Sequence, residues 1–373
     1  MEAHPCRQRL IETFLDLVRI DSESLQEREI QDYLRRQLEA IGFQVEEDDA
    51  GRRIGGNAGN LIARWPATDP RRPPLFFNAH VDTVKPGKGV RPQILEDGTI
   101  AAGGDTVLGG DDKAGVVVLL EALRVVHESG LPHGIVEVVY TVAEEIGLLG
   151  AKALDLSSFQ APYAFVLDGG TPIGKATLAA PSHINLSVRL RGKAAHAGVR
   201  PEAGINAIQM AATAIASMRL GRIDEETTAN VGIIQGGTAT NIVPEWVEVR
   251  AEARSHSEAK LRRQIAHMRR QFEEAAYRWG GQVEIREERV YHAFRVSQRA
   301  QVCRHFRAAC RRLGLNPLFA VSGGGSDANI FNERGLPAIV ISCGQQNVHT
   351  FQERVHPDDL VKAVELVLAL FQV

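Results

Sequence analysis

Two textures share this chain, and the way one interrupts the other limits the folds open to it. Up to about residue 177, strand-like and helix-like stretches alternate. LFFNAHVDT is a short apolar run ending in polar residues, and DDKAGVVVLLEALRVVHESG reads as a helix stopped by a glycine. GIVEVVYTVAEE and YAFVLDGG are further strands with polar ends. Alternation of this kind predicts an α/β domain, a mostly parallel sheet sandwiched by helices. The pattern then changes. INLSVRLRGKAAHA alternates apolar and polar residues as a half-exposed strand does, and PEAGINAIQMAATAIASMRL reads as a helix with Pro201 near its start. Strands NVGIIQGG and EWVEVRAEAR, the charged helix SEAKLRRQIAHMRRQFEEAAYRWG and strand QVEIREERV follow. That order, β-α-β-β-α-β, is the ferredoxin-like α+β pattern. From about Ser297 the first texture returns in AQVCRHFRAACRRLG, LPAIVISCG and PDDLVKAVELVLALF. The expected organisation is a discontinuous domain of residues 1–177 and 291–373, interrupted by an inserted domain of residues 178–290.

Composition narrows the function classes. A chain of 373 residues suits two domains, and a net charge of -3 leaves no basic footprint for nucleic acid or an anionic membrane. No apolar run approaches the roughly 20 residues a membrane helix needs. The N-terminal stretch reads as an amphipathic helix with Leu10, Phe14, Leu17 and Val18 on one face, not as a secretory signal. The four cysteines (Cys6, Cys303, Cys310 and Cys343) form no CxxC pair, which argues against a zinc ribbon or a redox motif. A reducing compartment, the cytoplasm, is expected.

The chemistry sits at the strand ends. In NAHVDTV, His80 and Asp82 lie two apart and point to the same side of an extended strand. LGGDDKAGV places Asp111 and Asp112 at a helix start, TVAEEIGLLGA puts Glu144 beside Glu145, VLDGG ends in Asp168, and NVHTFQERVH carries His349. Alone, each has an ordinary reading: a hydrogen-bonded core histidine, a helix cap, a solvated pair, a turn, a loop histidine. Together they change meaning, because ligands gather at the carboxyl ends of strands in such sheets. Uncompensated carboxylates converging there would repel one another. Cations resolve the conflict, and two histidines with several carboxylates suit zinc, with manganese or cobalt as second choices.

The strings NAHVDTV, LGGDDKAG, AEEIGLLGA, LDGG, AAHAG, GGTATNIVPE, SGGGSDANIF and QNVHTFQERV run in order from residue 78 to residue 355. In them the chain resembles the M20 metallopeptidases, and within these the peptidase T-like branch. The resemblance implies a zinc-exopeptidase-like catalytic domain carrying two zinc ions per subunit, and an inserted lid and dimerisation domain that makes a homodimer. His80 would bind one ion, with Asp82 orienting it. Asp111 would bridge both, and Glu145, Asp168 and His349 would complete the two sites. Glu144 would be the general base, and then the acid, for a metal-bridging water. A cis peptide bond between Asp111 and Asp112 is implied as well. His196, reaching the neighbouring subunit's site, would donate to the tetrahedral oxyanion. Asn241 would touch substrate, Arg254 could grip a substrate carboxylate, and the loop with Gly324, Gly325 and Ser326 would offer backbone N–H groups. Lys113, His183 and His356 are read as structural.

The substrate implied is a small peptide, cut by an aminopeptidase acting on di- or tripeptides. A carboxypeptidase or N-acyl amino acid deacylase of the same family is the alternative. Asp168 stands where such members usually carry Glu, which favours the aminopeptidase. A catalytically inactive binding protein has no reason to keep Glu144 with all five ligand positions.

Overall fold

The computed structural model describes residues 4–373. The chain divides into two compact units. One runs up to Ala179 and resumes over Arg295–Ser322 and Ser326–Val373; the other is Ala180–Phe294 with Gly323–Gly325.

Four strands form the centre of the first unit. Val136–Thr141, Leu75–His80, Ala164–Gly170 and Ala338–Gln346 lie side by side in that order, all parallel. Every residue of Leu75–His80 and Val136–Thr141 is buried, the condition that continuous apolar runs meet in a sheet covered on both faces. The helix Gly110–Ser129 packs on the central strands and against the helices Arg7–Arg19 and Pro357–Leu370. Its run Val116–Leu120 is wholly buried, which explains why its sequence is apolar nearly all round. Helix Arg7–Arg19 turns Leu10, Phe14, Leu17 and Val18 inward, as its periodicity predicts. Arg9 fastens it further: the guanidinium donates to the buried Glu121 carboxylate at 2.8 and 2.9 Å.

The predicted α/β class is present, with a correction at the margins. Leu61–Trp65 and Gln44–Glu47 extend one side antiparallel. Arg354–Val355, Ile100–Ala102 and Pro92–Ile94 extend the other, also antiparallel. The outermost of these segments are too short or too polar to announce themselves by periodicity.

The second unit is a five-stranded antiparallel sheet, ordered Gly221–Asp224, Thr227–Gly236, Trp246–Ser255, Ser182–Arg191 and Gln282–Tyr291. Helices Ala207–Ala216 and Glu258–Trp279 cover one face, packing Met210, Met268 and Phe272 against Leu186, Val188 and Val249. Its four longer strands and two helices make the ferredoxin-like arrangement, and Gly221–Asp224 is an unforeseen edge strand. One helix starts later than the sequence suggests. Pro201–Ala203 is a lone 3-10 turn followed by extended Gly204, and the α-helix begins where Asn206 accepts the Gln209 N–H at 3.0 Å.

Gly325 backs onto Tyr291 in this unit so closely that a Cβ would lie 2.3 Å from a ring carbon. The ring is 6% exposed and has little room to yield. Gly325→Ala is therefore expected to cost about 1–3 kcal/mol, read as a lower midpoint in urea unfolding. An unchanged midpoint would show that the ring moves aside freely. Among the described residues no helix is long and apolar enough to cross a membrane.

Candidate metal centre

Because the four central strands are parallel, their carboxyl ends share one edge of the sheet. His80 closes its strand, Asp168 stands near the end of Ala164–Gly170, and Glu144 and Glu145 follow Val136–Thr141. His349 comes three residues after Ala338–Gln346, in a loop where its φ is +63°. Asp111 enters from the first turn of Gly110–Ser129. The bond between Asp111 and Asp112 is cis, as the resemblance implies.

Asp111 is the hub. Its Oδ1 lies 3.3 Å from His80 Nε2 and its Oδ2 3.2 Å from His349 Nε2. His80 Nε2 is 3.9 Å from Asp168 Oδ1, and His349 Nε2 is 3.0 Å from Glu145 Oε1. Of three sets of possible metal ligands among the described residues, two share Asp111: His80, Asp111 and Asp168, and Asp111, Glu145 and His349. The potential ligand atoms within each set lie no more than 4.8 Å apart. Only Asp111 belongs to both. Glu144 is outside these two and makes the third set with His80 and Glu145.

The electrostatics suit cations. Burial, with Asp111 and Asp112 nearby, drives the Asp168 carboxyl well above the usual carboxylate range. Burial does the same to Glu144, helped by Glu145, Asp327 and Asp82, and raises Glu145 as well. Burial would also raise Asp111, but hydrogen bonds to His349 and His80 overcome it and hold this carboxyl low. Hydrogen bonds to Asp111 and Glu145 push His349 up to about 10. Burial opposes protonation of His80, yet Glu144 and the contacts to Asp111 and Asp82 raise it well above the ordinary value. Carboxylates that crowd one another, with imidazoles as their counter-charge, form a donor set that divalent ions fit by displacing the imidazole protons.

Asp82 does more than orient the histidine. His80 Nδ1 lies 3.0 Å from the Asp82 carbonyl and 3.5 Å from its carboxylate. That carboxylate also accepts the backbone N–H groups of Glu144 and Glu145, at 2.8 and 3.2 Å. One buried side chain thus supports both ends of the cluster. Asp112 is not the helix N-cap, a place taken by Gly109; its carboxylate accepts from His80 N and Gly115 N.

Three polar residues escaped the sequence reading. Glu353, 1% exposed, accepts the N–H groups of Gly109 and Asp111 at 2.9 and 2.8 Å and so fixes the hub from behind. Gln345 donates to Asp111 and Asp168, both at 3.3 Å. Asp327 accepts from Thr141 Oγ1 at 2.5 Å and from Asn78 at 3.3 Å, beneath the strands that carry His80 and Glu144. Gln345 was findable, being a polar residue at the end of a buried strand like Asp168. Glu353 and Asp327 offer only a carboxylate in a loop and one in a helix first turn.

Other expected site residues are outside these ligand sets. His196 and Asn241 are neighbours in the second unit, where Ala197 N–H donates to the Asn241 carbonyl at 2.9 Å and the His196 side chain is exposed. Arg254 is not with them. Asn241 precedes the strand Trp246–Ser255 and Arg254 nearly ends it, on the order of 25 Å along an extended chain. Its guanidinium engages Glu252 at 3.0 and 3.2 Å. Gly324 and Gly325 belong to the second unit and Ser326 to the first. The Ser326 N–H is not free for a ligand, since it donates to Asn329 Oδ1 at 3.1 Å in a capping box.

Comparison with known proteins agrees with this geometry. The profile of peptidase family M20/M25/M40 matches residues 76–373. Protein YqjE of Bacillus subtilis, described as uncharacterized, is 43% identical over 365 residues, 98% of each chain. A crystallised aminopeptidase PepT from Bacillus cereus is 42% identical, with a TM-score of 0.85 over 99% of this chain and 98% of that one. A tripeptidase from Staphylococcus aureus gives 39% and 0.91 at the same coverage. A strand-end cluster with a shared aspartate, in a chain so closely matched from end to end, has one consistent reading: the protein is a metallopeptidase and belongs to family M20/M25/M40, on its peptidase T-like side.

Proposed function

We propose that this protein is a dinuclear-metal exopeptidase that removes the N-terminal residue from small unblocked peptides. The observation that carries the reading is the pair of ligand sets sharing Asp111, with Glu144 beside them and outside both. His80, Asp111 and Asp168 would hold one ion, and Asp111, Glu145 and His349 the other. Zinc fits the mix of imidazole and carboxylate, and manganese or cobalt could substitute. When bound, the ions would supply Lewis acidity to the scissile carbonyl and acidify the attacking water. Glu144 accepts a proton from the attacking water on its carboxylate and delivers it to the amine nitrogen as the C–N bond breaks. Asp82 keeps His80 oriented and the Glu144 backbone in place during both transfers. His196 as oxyanion donor, Asn241 and Arg254 as substrate contacts, and a homodimer formed through the inserted domain of residues 178–290 enter on family resemblance. Four free cysteines suit a cytoplasmic setting.

The PepT and tripeptidase relatives support this substrate class. It is tested with Ala-Ala-Ala and its N-acetylated form, each with added zinc or cobalt and with a chelator. Chelator-sensitive release of alanine from the free peptide only is the expected result. Cleavage of the blocked peptide alone would move the substrate to N-acyl amino acids, and insensitivity to the chelator would overturn the metal reading.

A further inference from the structure

The turn that carries Glu144 and Glu145 is braced from behind by residues 22–27, which the mechanism above does not use. Ser22 Oγ donates to the Val81 carbonyl at 2.8 Å, and Thr83 N–H donates to the Ser22 carbonyl at 2.9 Å. Ser24 Oγ donates to Asp82 Oδ2 at 2.7 Å. Glu27 completes the brace. Its side chain is fully buried, and Oε1 accepts two backbone N–H groups, from Leu25 at 2.8 Å and from Ala143 at 3.0 Å.

Those two acceptances fall on unusual residues. Leu25 has φ +73° and Ala143 φ +51°, a left-handed backbone that residues with side chains adopt only when their surroundings hold them there. Ala143 is bonded directly to Glu144. Meanwhile the other Glu27 oxygen, Oε2, is buried with no hydrogen-bond partner among the described residues. Burial, with Asp82 nearby, raises the carboxyl to about 7. A buried acid with a bare oxygen is a poor device for stability alone. Its place is explained by what its other oxygen holds.

We infer that Glu27 is a positioning residue for Glu144: its carboxylate fixes the left-handed turn at Ala143 and with it the direction of the Glu144 side chain. The inference rests on the reading of Glu144 as the proton carrier. If Ala143 relaxes toward an ordinary φ, Glu144 shifts relative to the water and the leaving nitrogen. Displacement of about 1 Å at such a centre costs on the order of 10²-fold in rate.

The test compares Glu27→Ala, Glu27→Gln and Glu144→Gln in the full-length, metal-loaded enzyme on Ala-Ala-Ala, with bound metal counted by atomic emission. Glu27→Ala is expected to lower kcat roughly 10- to 100-fold, with KM changed less than about twofold and bound metal as in the parent. Glu27→Gln keeps an acceptor oxygen and recovers most of kcat. Should the alanine variant not fold, Glu27→Met fills the same space without an acceptor and carries the comparison. Parental kcat in the acceptor-free variant, or a loss that only tracks missing metal or unfolded protein, overturns the inference alone when Glu144→Gln is inactive. Parental turnover in Glu144→Gln overturns the reading of Glu144, and the brace with it.

Discussion

Glu144→Gln is expected to reduce kcat by about 10²- to 10⁴-fold while leaving bound metal and fold unchanged, the range general acid–base catalysis supplies. The substitution keeps size and shape, so the carboxamide occupies the same pocket, 8% exposed, at the end of the Val136–Thr141 strand. Its backbone N–H still donates to Asp82 Oδ1. Only the capacity to take and return a proton is lost. The neighbouring carboxylate cannot substitute, because Glu145 is engaged with His349 at 3.0 Å. That asymmetry fits two roles for two adjacent glutamates: Glu145 is tied to the His349 imidazole in a set that shares Asp111, and Glu144 stands outside both Asp111 sets, as the proposed proton carrier must. Steady-state kinetics with metal analysis checks the prediction. Turnover within a few-fold of the parent would remove Glu144 from the proton path, and a matching loss of metal would make it a ligand instead.

How much of this was legible in the sequence depends on the physical signal each feature leaves. Central strands were legible because burial on both faces forces continuous apolar runs, and their polar ends stood out against those runs. The strand-end groups that hold His80, Asp111, Glu145, Asp168 and His349 could be gathered from the sequence, since parallel strands place their carboxyl ends together, while the choice within the Asp111–Asp112 and Glu144–Glu145 pairs came from the family resemblance. Edge strands such as Pro92–Ile94 left no such mark. The supports were hidden for a related reason. Glu27, Glu353 and Asp327 act by accepting N–H groups or hydroxyls from segments distant in sequence, and a carboxylate in a loop looks the same whether solvated or buried. Arg254's neighbour was hidden as well. A strand-end arginine suggests a free cation, but Glu252 stands two residues earlier on the same strand face and takes up its guanidinium. Ser326 likewise suggested an open N–H, while Asn329 three residues later closes the cap.

Asp111→Ala is expected to abolish binding at both metal positions, whereas His349→Ala should lose one and keep the other. The difference follows from sharing: Asp111 Oδ1 faces His80 and Oδ2 faces His349, so a single truncation removes a ligand from each set. His349 contributes to one set only and is half exposed, leaving His80, Asp111 and Asp168 intact. Calorimetric titration of the chelator-stripped proteins with zinc reads the stoichiometry directly. Thermal unfolding gives an independent readout, because an ion that binds only the folded chain stabilises it by about 2.7 kcal/mol at 100 times its Kd. The parent should therefore melt well above its chelated form, and for Asp111→Ala that gap should vanish. For His349→Ala a smaller gap should persist. The chelated parent has its own handicap, since Asp168, Glu144 and Glu145 crowd one another in a buried site where no ion offsets their charge. Two ions retained by Asp111→Ala would refute the shared-ligand geometry. Loss of both ions in His349→Ala would show instead that the two positions fill only together.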